Sequence, residues 1–213
     1  MSLVGIVPAG GSGERLGAQR PKAFVVLAGR AMVEWSVDVL ARVCDRVVVA
    51  APDGYGDGLD RVSGGPSRSE SVRNAVAAAP EADVYVVHDA ARPLLTEELV
   101  RRCVDALGNG VDGAVAAAPV TDTIKHADGA GRVVSTLDRS SLWAIQTPQA
   151  FRAGALRRAL DADAAALAGA TDDASLVEAA GGRVDVVESR TENFKVTTAL
   201  DLRMAEAVLA DRC

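Results

Sequence analysis

Hydrophobic residues form two patterns that take turns along this chain. One pattern is typical of buried strands, and the other is typical of amphipathic helices. Strands are predicted over residues 3–7, 46–50, 84–87, 113–120, 142–151 and 184–188. Helices are predicted over residues 32–43, 69–79, 96–107 and 153–162, with a short one opening at 171–173 and a final one capped by Thr198. This order predicts a Rossmann-like α/β fold, with a mostly parallel twisted sheet and helices on both of its faces.

Two segments depart from this alternation. Residues 52–66 are rich in glycine and aspartate, and we predict a loop there. Residues 121–126 and 132–136 are short alternating segments around Asp-Gly-Ala-Gly, which predict a hairpin without a core to lie on. Because an isolated hairpin is marginal in water, we expect residues 120–141 to form a dimerisation arm on a single domain of residues 1–213.

The first predicted strand leads into a glycine-rich loop, Pro8-Ala9-Gly10-Gly11-Ser12-Gly13. Glycines let the backbone turn sharply and present bare N–H groups, and the cations Arg15, Arg20 and Lys22 follow within a few residues. The dinucleotide fingerprint needs glycine where Leu16 stands, and the Gly-Lys-Ser/Thr of the Walker loop is missing. The sequence therefore predicts a nucleotide-phosphate loop of another kind, unless the glycines serve only to turn the chain.

The entry of the second predicted helix carries a second candidate group. Gly64, Gly65, Arg68 and Ser71 lie there, and their amides and hydroxyl are suited to a nucleotide base or phosphate. An ordinary N-cap after a turn explains the same residues equally well.

The third predicted strand ends at a carboxylate, Asp89. Ligands of open α/β sheets collect at the carboxyl ends of strands, so Asp89 is a candidate for a Mg²⁺ or ribose contact. The alternative is that it braces Arg92. On or beside the predicted hairpin lie Thr123, Lys125 and Arg139, which would suit the phosphate site of a partner subunit.

Charge and composition narrow the function. The chain has 213 residues and a formal net charge of -6, which argues against a general nucleic-acid or anionic-membrane surface. No apolar run approaches the length of about 20 residues that a membrane span needs. The 3 cysteines suggest reduced thiols in a cytoplasmic protein, and only 2 histidines are present, which argues against a histidine-rich metal site.

Lysine is scarce in this chain. Among 23 basic residues only Lys22, Lys125 and Lys195 are lysine, and Lys22 and Lys195 lie in motif-like surroundings. A compact ammonium and a planar guanidinium are not interchangeable at a tight phosphate site, so these lysines are candidates for required point charges.

Taken in order, these segments resemble the 2-C-methyl-D-erythritol 4-phosphate cytidylyltransferases, members of the wider nucleotidyltransferase group of sugar and polyol phosphates. The segments that carry the resemblance are residues 8–16, 21–22, 88–93 (His-Asp-Ala-Ala-Arg-Pro), 118–125, 136–139, 142–143, 147–149 (Thr-Pro-Gln) and 193–197. Each one is weak alone, but the ordered set covers nearly the whole chain.

The resemblance implies an enzyme that joins CTP and 2-C-methyl-D-erythritol 4-phosphate, with Mg²⁺, to give 4-diphosphocytidyl-2-C-methyl-D-erythritol and pyrophosphate in non-mevalonate isoprenoid biosynthesis. It implies that Arg15 and Lys22 stabilise the transition state, and that Arg139 and Lys195 position the acceptor. It also implies a homodimer in which Thr123 and Arg139 complete the partner's site. The nucleotide side would include Pro8, Ala9, Gly10, Gly11, Ser12, Gly13, Gly64, Gly65, Arg68, Ser71 and Asp89, the last also on the metal; the acceptor side would add Ala90, Arg92 and Thr147.

Three other functions remain open from the sequence. A ribitol 5-phosphate cytidylyltransferase shares the loop, the Asp-x-x-Arg-Pro stretch and the Thr-Pro-Gln, although residues 138–143 look more like the methylerythritol enzymes. A different nucleotide could be transferred to a sugar phosphate. A non-catalytic nucleotide-binding regulator would keep the loop but would not need the acceptor-side pair Arg139 and Lys195.

Overall fold

The computed structural model describes residues 1–13, 16 and 20–212. Its strands are β1 (Leu3–Pro8), β2 (Val26–Leu27), β3 (Arg30–Ala31), β4 (Arg46–Ala51), β5 (Arg61–Ser63), β6 (Val84–Val87), β7 (Gly113–Pro119), β8 (Lys125–Ala127), β9 (Val133–Thr136), β10 (Trp143–Arg152) and β11 (Val184–Glu188). Its α-helices are α1 (Met32–Ala41), α2 (Arg68–Ala77), α3 (Glu97–Asp105), α4 (Ala153–Leu160), α5 (Ala164–Gly169), α6 (Asp173–Ala179) and α7 (Ala199–Ala210).

Seven of the strands form the central sheet, in the order β11-β7-β10-β6-β1-β4-β5. Neighbouring strands are parallel except at β10, which runs antiparallel to both β6 and β7. The mostly parallel α/β sheet predicted from the sequence is therefore confirmed. The carboxyl ends of β1, β4 and β6 lie at the same edge of the sheet, which is where ligands of such folds bind.

Alternation along the central strands divides the core between the two faces of the sheet. In β1, Val4 and Ile6 pack with α2, α4, α5 and α6, whereas Val7 packs on the other face with α1 and α3. The residues of β4 and β6 alternate in the same way. These strands are apolar at nearly every position, because both faces are covered by helices; the exception is Arg46 at the start of β4. A smaller cluster joins α7 to Leu27 and Met32.

Capping residues define several helix starts. Thr198 and Asp201 form a reciprocal capping box at α7, which confirms the predicted cap. Ser67 and Glu70 form another at α2, so that helix begins at Arg68, slightly before the predicted start. Thr96 accepts a hydrogen bond from the Leu99 N–H at α3. Among the described residues, no helix is both long and apolar enough to cross a membrane.

Several elements differ from the sequence-based expectations, among them the two-residue strands β2 and β3, which were not predicted. The segment 52–66 is not a loop throughout, because Arg61–Ser63 forms the edge strand β5 beside β4. Its three residues are too few to show a clear alternation. The short helix α5 was also not predicted, since its run of alanines lacks an apolar stripe and only Leu167 of that helix is buried.

The predicted hairpin is present as β8 and β9, a separate two-stranded antiparallel sheet. Every residue of both strands is exposed. The location of the hairpin is thus confirmed, whereas its role in dimerisation remains a prediction.

Candidate functional site

A cavity of about 290 Å³ opens beside the carboxyl ends of β1 and β6. It gathers the glycine loop, the entry of α2 and the segment after β6 around two lysines. The residues that line it are Pro8, Ala9, Gly10, Gly11, Lys22, Ala23, Gly65, Pro66, Ser67, Arg68, Ser71, Asp89, Ala90, Ala91 and Lys195. Most of the residues predicted for the nucleotide side therefore surround one space, although Ser12, Gly13 and Gly64 do not line it.

The glycine loop folds back so that Lys22 lies at the cavity. The Lys22 N–H donates to the Gly11 carbonyl at 2.9 Å. Gly13 has a φ of 76°, and a Cβ there would lie 3.2 Å from the Arg20 carbonyl oxygen, so this turn needs glycine. Arg15, predicted to act with Lys22, lies outside the described residues.

The entry of α2 forms a second wall of the cavity. The Gly65 N–H donates to Ser71 Oγ at 3.0 Å, and that hydroxyl donates to the Ser67 carbonyl at 2.9 Å. A Cβ on Gly65 would lie 2.5 Å from Glu70 Cβ, so only glycine fits there. The Ser71 hydroxyl thus shapes the wall, and Gly64 continues the sheet through a bond from its N–H to the Ala51 carbonyl.

Asp89 is held by two cations at the floor of the cavity. Arg68 Nε donates to its Oδ1 at 3.0 Å, and Lys195 Nζ donates to its Oδ2 at 2.7 Å. Burial alone would raise the pKa of Asp89, but the charges and hydrogen bonds of Arg68 and Lys195 hold it well below its usual range. The carboxylate therefore stays ionised at neutral pH. It braces these two cations and not Arg92, the partner considered from the sequence.

The ion pairs continue from Arg68 to a buried carboxylate on α6. Arg68 Nη1 donates to Asp173 Oδ2 at 2.7 Å, and the Asp173 side chain is fully buried. Burial raises the pKa of Asp173, against the opposing charge of Arg68. From the sequence alone, this aspartate is predicted only to lie at a helix start.

Thr147, predicted on the acceptor side, uses its hydroxyl to hold the backbone of Asp89. The Asp89 N–H donates to Thr147 Oγ1 at 3.0 Å, and this oxygen lies 3.0 Å from His88 Nδ1. His88 Nε2 lies 3.0 Å from the Arg92 carbonyl, which can only accept, so Nε2 carries the proton and Nδ1 accepts from Thr147. A cis peptide bond precedes Pro148 within this part of β10.

His88 should make the stability of the protein depend on pH. It is fully buried, and burial lowers its pKa to about 4. Between pH 6.5 and 4 the unfolded chain therefore binds a proton that the folded protein does not. We expect the free energy of unfolding to decrease as pH falls through this range, by up to about 3 kcal/mol from this group.

Urea denaturation of the wild type and His88→Gln at several pH values between about 7.5 and about 4 checks this expectation. Asp173, whose raised pKa acts in the opposite direction, is present in both proteins, so its contribution cancels in the difference. The pH dependence should be weaker in the variant. If the free energy of unfolding changed with pH equally in the two proteins, buried His88 would not be a cause of the pH dependence.

A second cavity, of about 490 Å³, adjoins the first and shares Arg68, Asp89 and Lys195 with it. It also reaches Arg92 and Thr147, so these two predicted acceptor-side residues lie around it with Lys195, whereas Ala90 lines the first cavity. Arg92 Nη1 donates to the Asn193 carbonyl at 2.7 Å, and its Nε is buried without a hydrogen-bond partner among the described residues.

Thr123 and Arg139 do not line either of these cavities within their own chain. Arg139 follows the hairpin in a 3₁₀ turn, where its Nη1 donates to the Thr121 carbonyl at 2.6 Å. The structure of one chain therefore does not bring these two predicted residues together with Lys22 and Lys195.

Several residues at the site were not found from the sequence. These residues are Asp173, His88 and Asn193, which support the residues around the cavity. The Asn193 side chain, for example, donates to Gln146 Oε1 at 2.9 Å and to the Thr147 carbonyl at 2.8 Å. The Thr-Asp-Asp and Asn-Phe-Lys segments can be recognised in the sequence, but no local pattern indicates which distant residues they contact.

Comparison with known proteins gives one consistent result. A family model described as 2-C-methyl-D-erythritol 4-phosphate cytidylyltransferase matches residues 3–211. The chain is 45% identical to a protein of that name from Nocardia farcinica, over 99% of this chain and 95% of the relative. It is 46% identical to another from Rubrobacter xylanophilus, over 98% of this chain and 95% of that protein.

Solved structures agree. A crystal structure of 2-C-methyl-D-erythritol 4-phosphate cytidylyltransferase from Thermus thermophilus is similar with a TM-score of 0.84 and 34% identity, covering 99% of this chain and 100% of that one. The enzyme of the same name from Francisella tularensis gives a TM-score of 0.81 at 29% identity, covering 97% and 99%.

Proposed function

The chain belongs to the 2-C-methyl-D-erythritol 4-phosphate cytidylyltransferase family, and from that membership we propose that it transfers the cytidylyl group of CTP to 2-C-methyl-D-erythritol 4-phosphate. The products are 4-diphosphocytidyl-2-C-methyl-D-erythritol and pyrophosphate, within non-mevalonate isoprenoid biosynthesis. The observation that supports this most is the meeting of the glycine loop with Lys22, Asp89 and Lys195 in one cavity.

The chemistry sets the task of these residues. An ionised oxygen of the acceptor phosphate attacks the α-phosphorus of CTP, a P–O bond forms, and the bond to the pyrophosphate oxygen breaks with its electron pair leaving on pyrophosphate. No general base is needed, because a phosphate monoester already carries an ionised oxygen at neutral pH. The main barrier is repulsion between two anions, so positioning and cationic groups supply the catalysis.

In this proposal the two walls of the site have different roles. Loop amides, Arg15 and Lys22 stabilise charge on the α-phosphate and the departing pyrophosphate. Lys195 holds the acceptor phosphate, because its ammonium lies at the junction of the two cavities. Its bond to Asp89 fixes the position of that ammonium, and Arg92 lies farther along the second cavity.

We also propose Mg²⁺ as a companion of the triphosphate. No group of three or more His, Cys, Asp or Glu residues suited to a metal ion occurs in the described part of the chain, so a site made only of protein ligands does not fit. A nucleotide-bound Mg²⁺ needs only one or two carboxylates besides phosphate and water, and Asp89 at the cavity can supply one. When bound, the ion would neutralise part of the triphosphate charge.

The functional unit is proposed to be a homodimer whose arms complete the neighbouring sites with Thr123 and Arg139. Two features support this: the arm has no core of its own, and exposed apolar side chains lie on or near it. These side chains are Val133, Val134, Leu137, Trp143 and Ile145. Their burial against a second copy would give the arm the apolar contacts that a hairpin needs.

We place the enzyme in the cytoplasm. Cys44 and Cys103 are free and buried, and burial raises the pKa of each thiol to about 12. Free thiols of this kind suit a reducing compartment.

Pyrophosphate release tests the proposed reaction. The purified protein is incubated with CTP and Mg²⁺, and with either 2-C-methyl-D-erythritol 4-phosphate or ribitol 5-phosphate as acceptor. We expect release with the methylerythritol phosphate alone. Release with ribitol 5-phosphate alone would identify a ribitol 5-phosphate cytidylyltransferase. CTP binding without pyrophosphate release in the presence of either acceptor would favour a non-catalytic nucleotide-binding regulator.

A further inference from the structure

Arg68 joins two carboxylates that are far apart in the sequence. Its Nε donates to Asp89 Oδ1 at 3.0 Å and its Nη1 donates to Asp173 Oδ2 at 2.7 Å. Asp89 in turn accepts from Lys195 Nζ at 2.7 Å through its other oxygen, Oδ2. The four side chains therefore form a continuous chain of alternating charges, from the interior at Asp173 to the half-exposed ammonium of Lys195.

Stability alone is a poor explanation for Asp173. Its side chain is fully buried, and its Oδ1 has no hydrogen-bond partner among the described residues. Burying a carboxylate with unsatisfied lone pairs is costly, and replacing buried ion pairs with apolar residues is often neutral or stabilising. A buried carboxylate at this position is better explained by what it does to Arg68.

The geometry at Asp89 indicates that effect. Arginine and carboxylate commonly form a two-pronged pair that uses both carboxylate oxygens. Here Arg68 contacts only Oδ1 of Asp89, while its Nη1 is directed to Asp173, and Oδ2 remains for Lys195. Asp173 thus fixes the guanidinium in an orientation that leaves half of the Asp89 carboxylate to the lysine.

We propose that Asp173 is a positioning residue, which holds Arg68 so that Asp89 is shared between Arg68 and Lys195 and the Lys195 ammonium stays at the junction of the two cavities. This inference rests on the proposed function for its catalytic consequence. Its structural part, the sharing of Asp89, can be tested without any turnover.

The first test replaces Asp173 by alanine. Arg68 is then free to rotate and take both oxygens of Asp89, so Lys195 loses its partner. We expect kcat to fall by about 10- to 100-fold, as for a displaced substrate-binding group, with a smaller change in the KM for CTP. Val177→Ala, on the same helix, removes buried apolar packing and changes no charge. It is expected to lower Tm with little effect on kcat.

Lysine labelling gives a readout that does not depend on activity. Because Lys195 is one of three lysines, acetylation by an N-hydroxysuccinimide ester can be followed at each site by peptide mass spectrometry. In Asp173→Ala, Lys195 should be acetylated faster than in the wild type, while Lys125 on the hairpin keeps its rate. Val177→Ala should leave both rates unchanged.

The double variant Arg68→Met with Asp173→Ala decides whether Asp173 acts through Arg68. It leaves no buried charge without a partner, which Arg68→Met alone would. With the competing guanidinium gone, Asp89 pairs with Lys195 again, and labelling of Lys195 should return to the slow wild-type rate. Fast labelling in the double variant, or unchanged labelling in Asp173→Ala, would overturn the proposal. If the wild type releases no pyrophosphate, the proposed function fails while these labelling results still stand.

Discussion

Replacing Lys22 by alanine is expected to lower kcat by about 100- to 1000-fold while the KM for CTP changes little. This corresponds to a loss of about 2.7–4 kcal/mol of transition-state stabilisation, the range for removal of one preorganised electrostatic donor. Lys22 lies in the cavity, and its backbone N–H is fixed by the Gly11 carbonyl. We expect its charge to act mainly on the departing pyrophosphate, which carries more charge in the transition state than in bound CTP.

Steady-state kinetics with both substrates varied measures this effect. Arg183→Ala is the control, since it removes an exposed cation from a surface ion pair with Asp185. Its kinetic constants should match those of the wild type. A Lys22→Ala enzyme with normal kcat and only a raised KM would mean that Lys22 binds the nucleotide equally in the ground and transition states. The Tm of each variant separates loss of catalysis from loss of folded protein.

The framework of the site can be predicted from the sequence because local rules determine it. The uninterrupted apolar runs of β1, β4 and β6 identify strands covered on both faces, and their carboxyl ends identify the edge where a ligand binds. Gly13 needs a left-handed conformation, so the loop could be placed from its glycines. Thr198 and Asp201 form the predicted cap of α7, because a capping box is a local pattern.

The support of the site could not be predicted in the same way. Arg68 and Asp173 are 105 positions apart, and no spacing rule pairs them. The brace of Asp89 by Thr147 depends on the antiparallel strand β10 and on an irregular register between Ile145 and Gln149. Such contacts are consequences of the whole fold, so they become visible only when the strands are placed beside one another.

Arg139 differs from these residues, because its predicted role involves a second chain. Its own chain places it beyond the hairpin and beside Thr121, and it lines neither of the two cavities. If the arm crosses to the partner, Arg139 and Lys22 of one chain serve different active sites. This arrangement can be tested with chains that carry different lesions.

A heterodimer of one Lys22→Ala chain and one Arg139→Ala chain is expected to recover about half of the wild-type activity per dimer. If the arm crosses, both lesions fall in the same active site, and the other site has intact Lys22 and Arg139. The two chains are co-expressed with different affinity tags, and the heterodimer is purified over both resins. Pyrophosphate release is then compared with each mutant homodimer, both of which should be nearly inactive.

A second heterodimer gives the opposite expectation and serves as the matched control. It pairs a wild-type chain with a chain that carries both Lys22→Ala and Arg139→Ala. With crossing arms each site then holds one lesion, so this heterodimer should be nearly inactive. If each site is instead built from a single chain, the results reverse: the wild-type chain keeps its own site, and the heterodimer of single variants stays inactive. The two heterodimers carry the same substitutions, so a difference in their activity reports only which chain supplies Arg139.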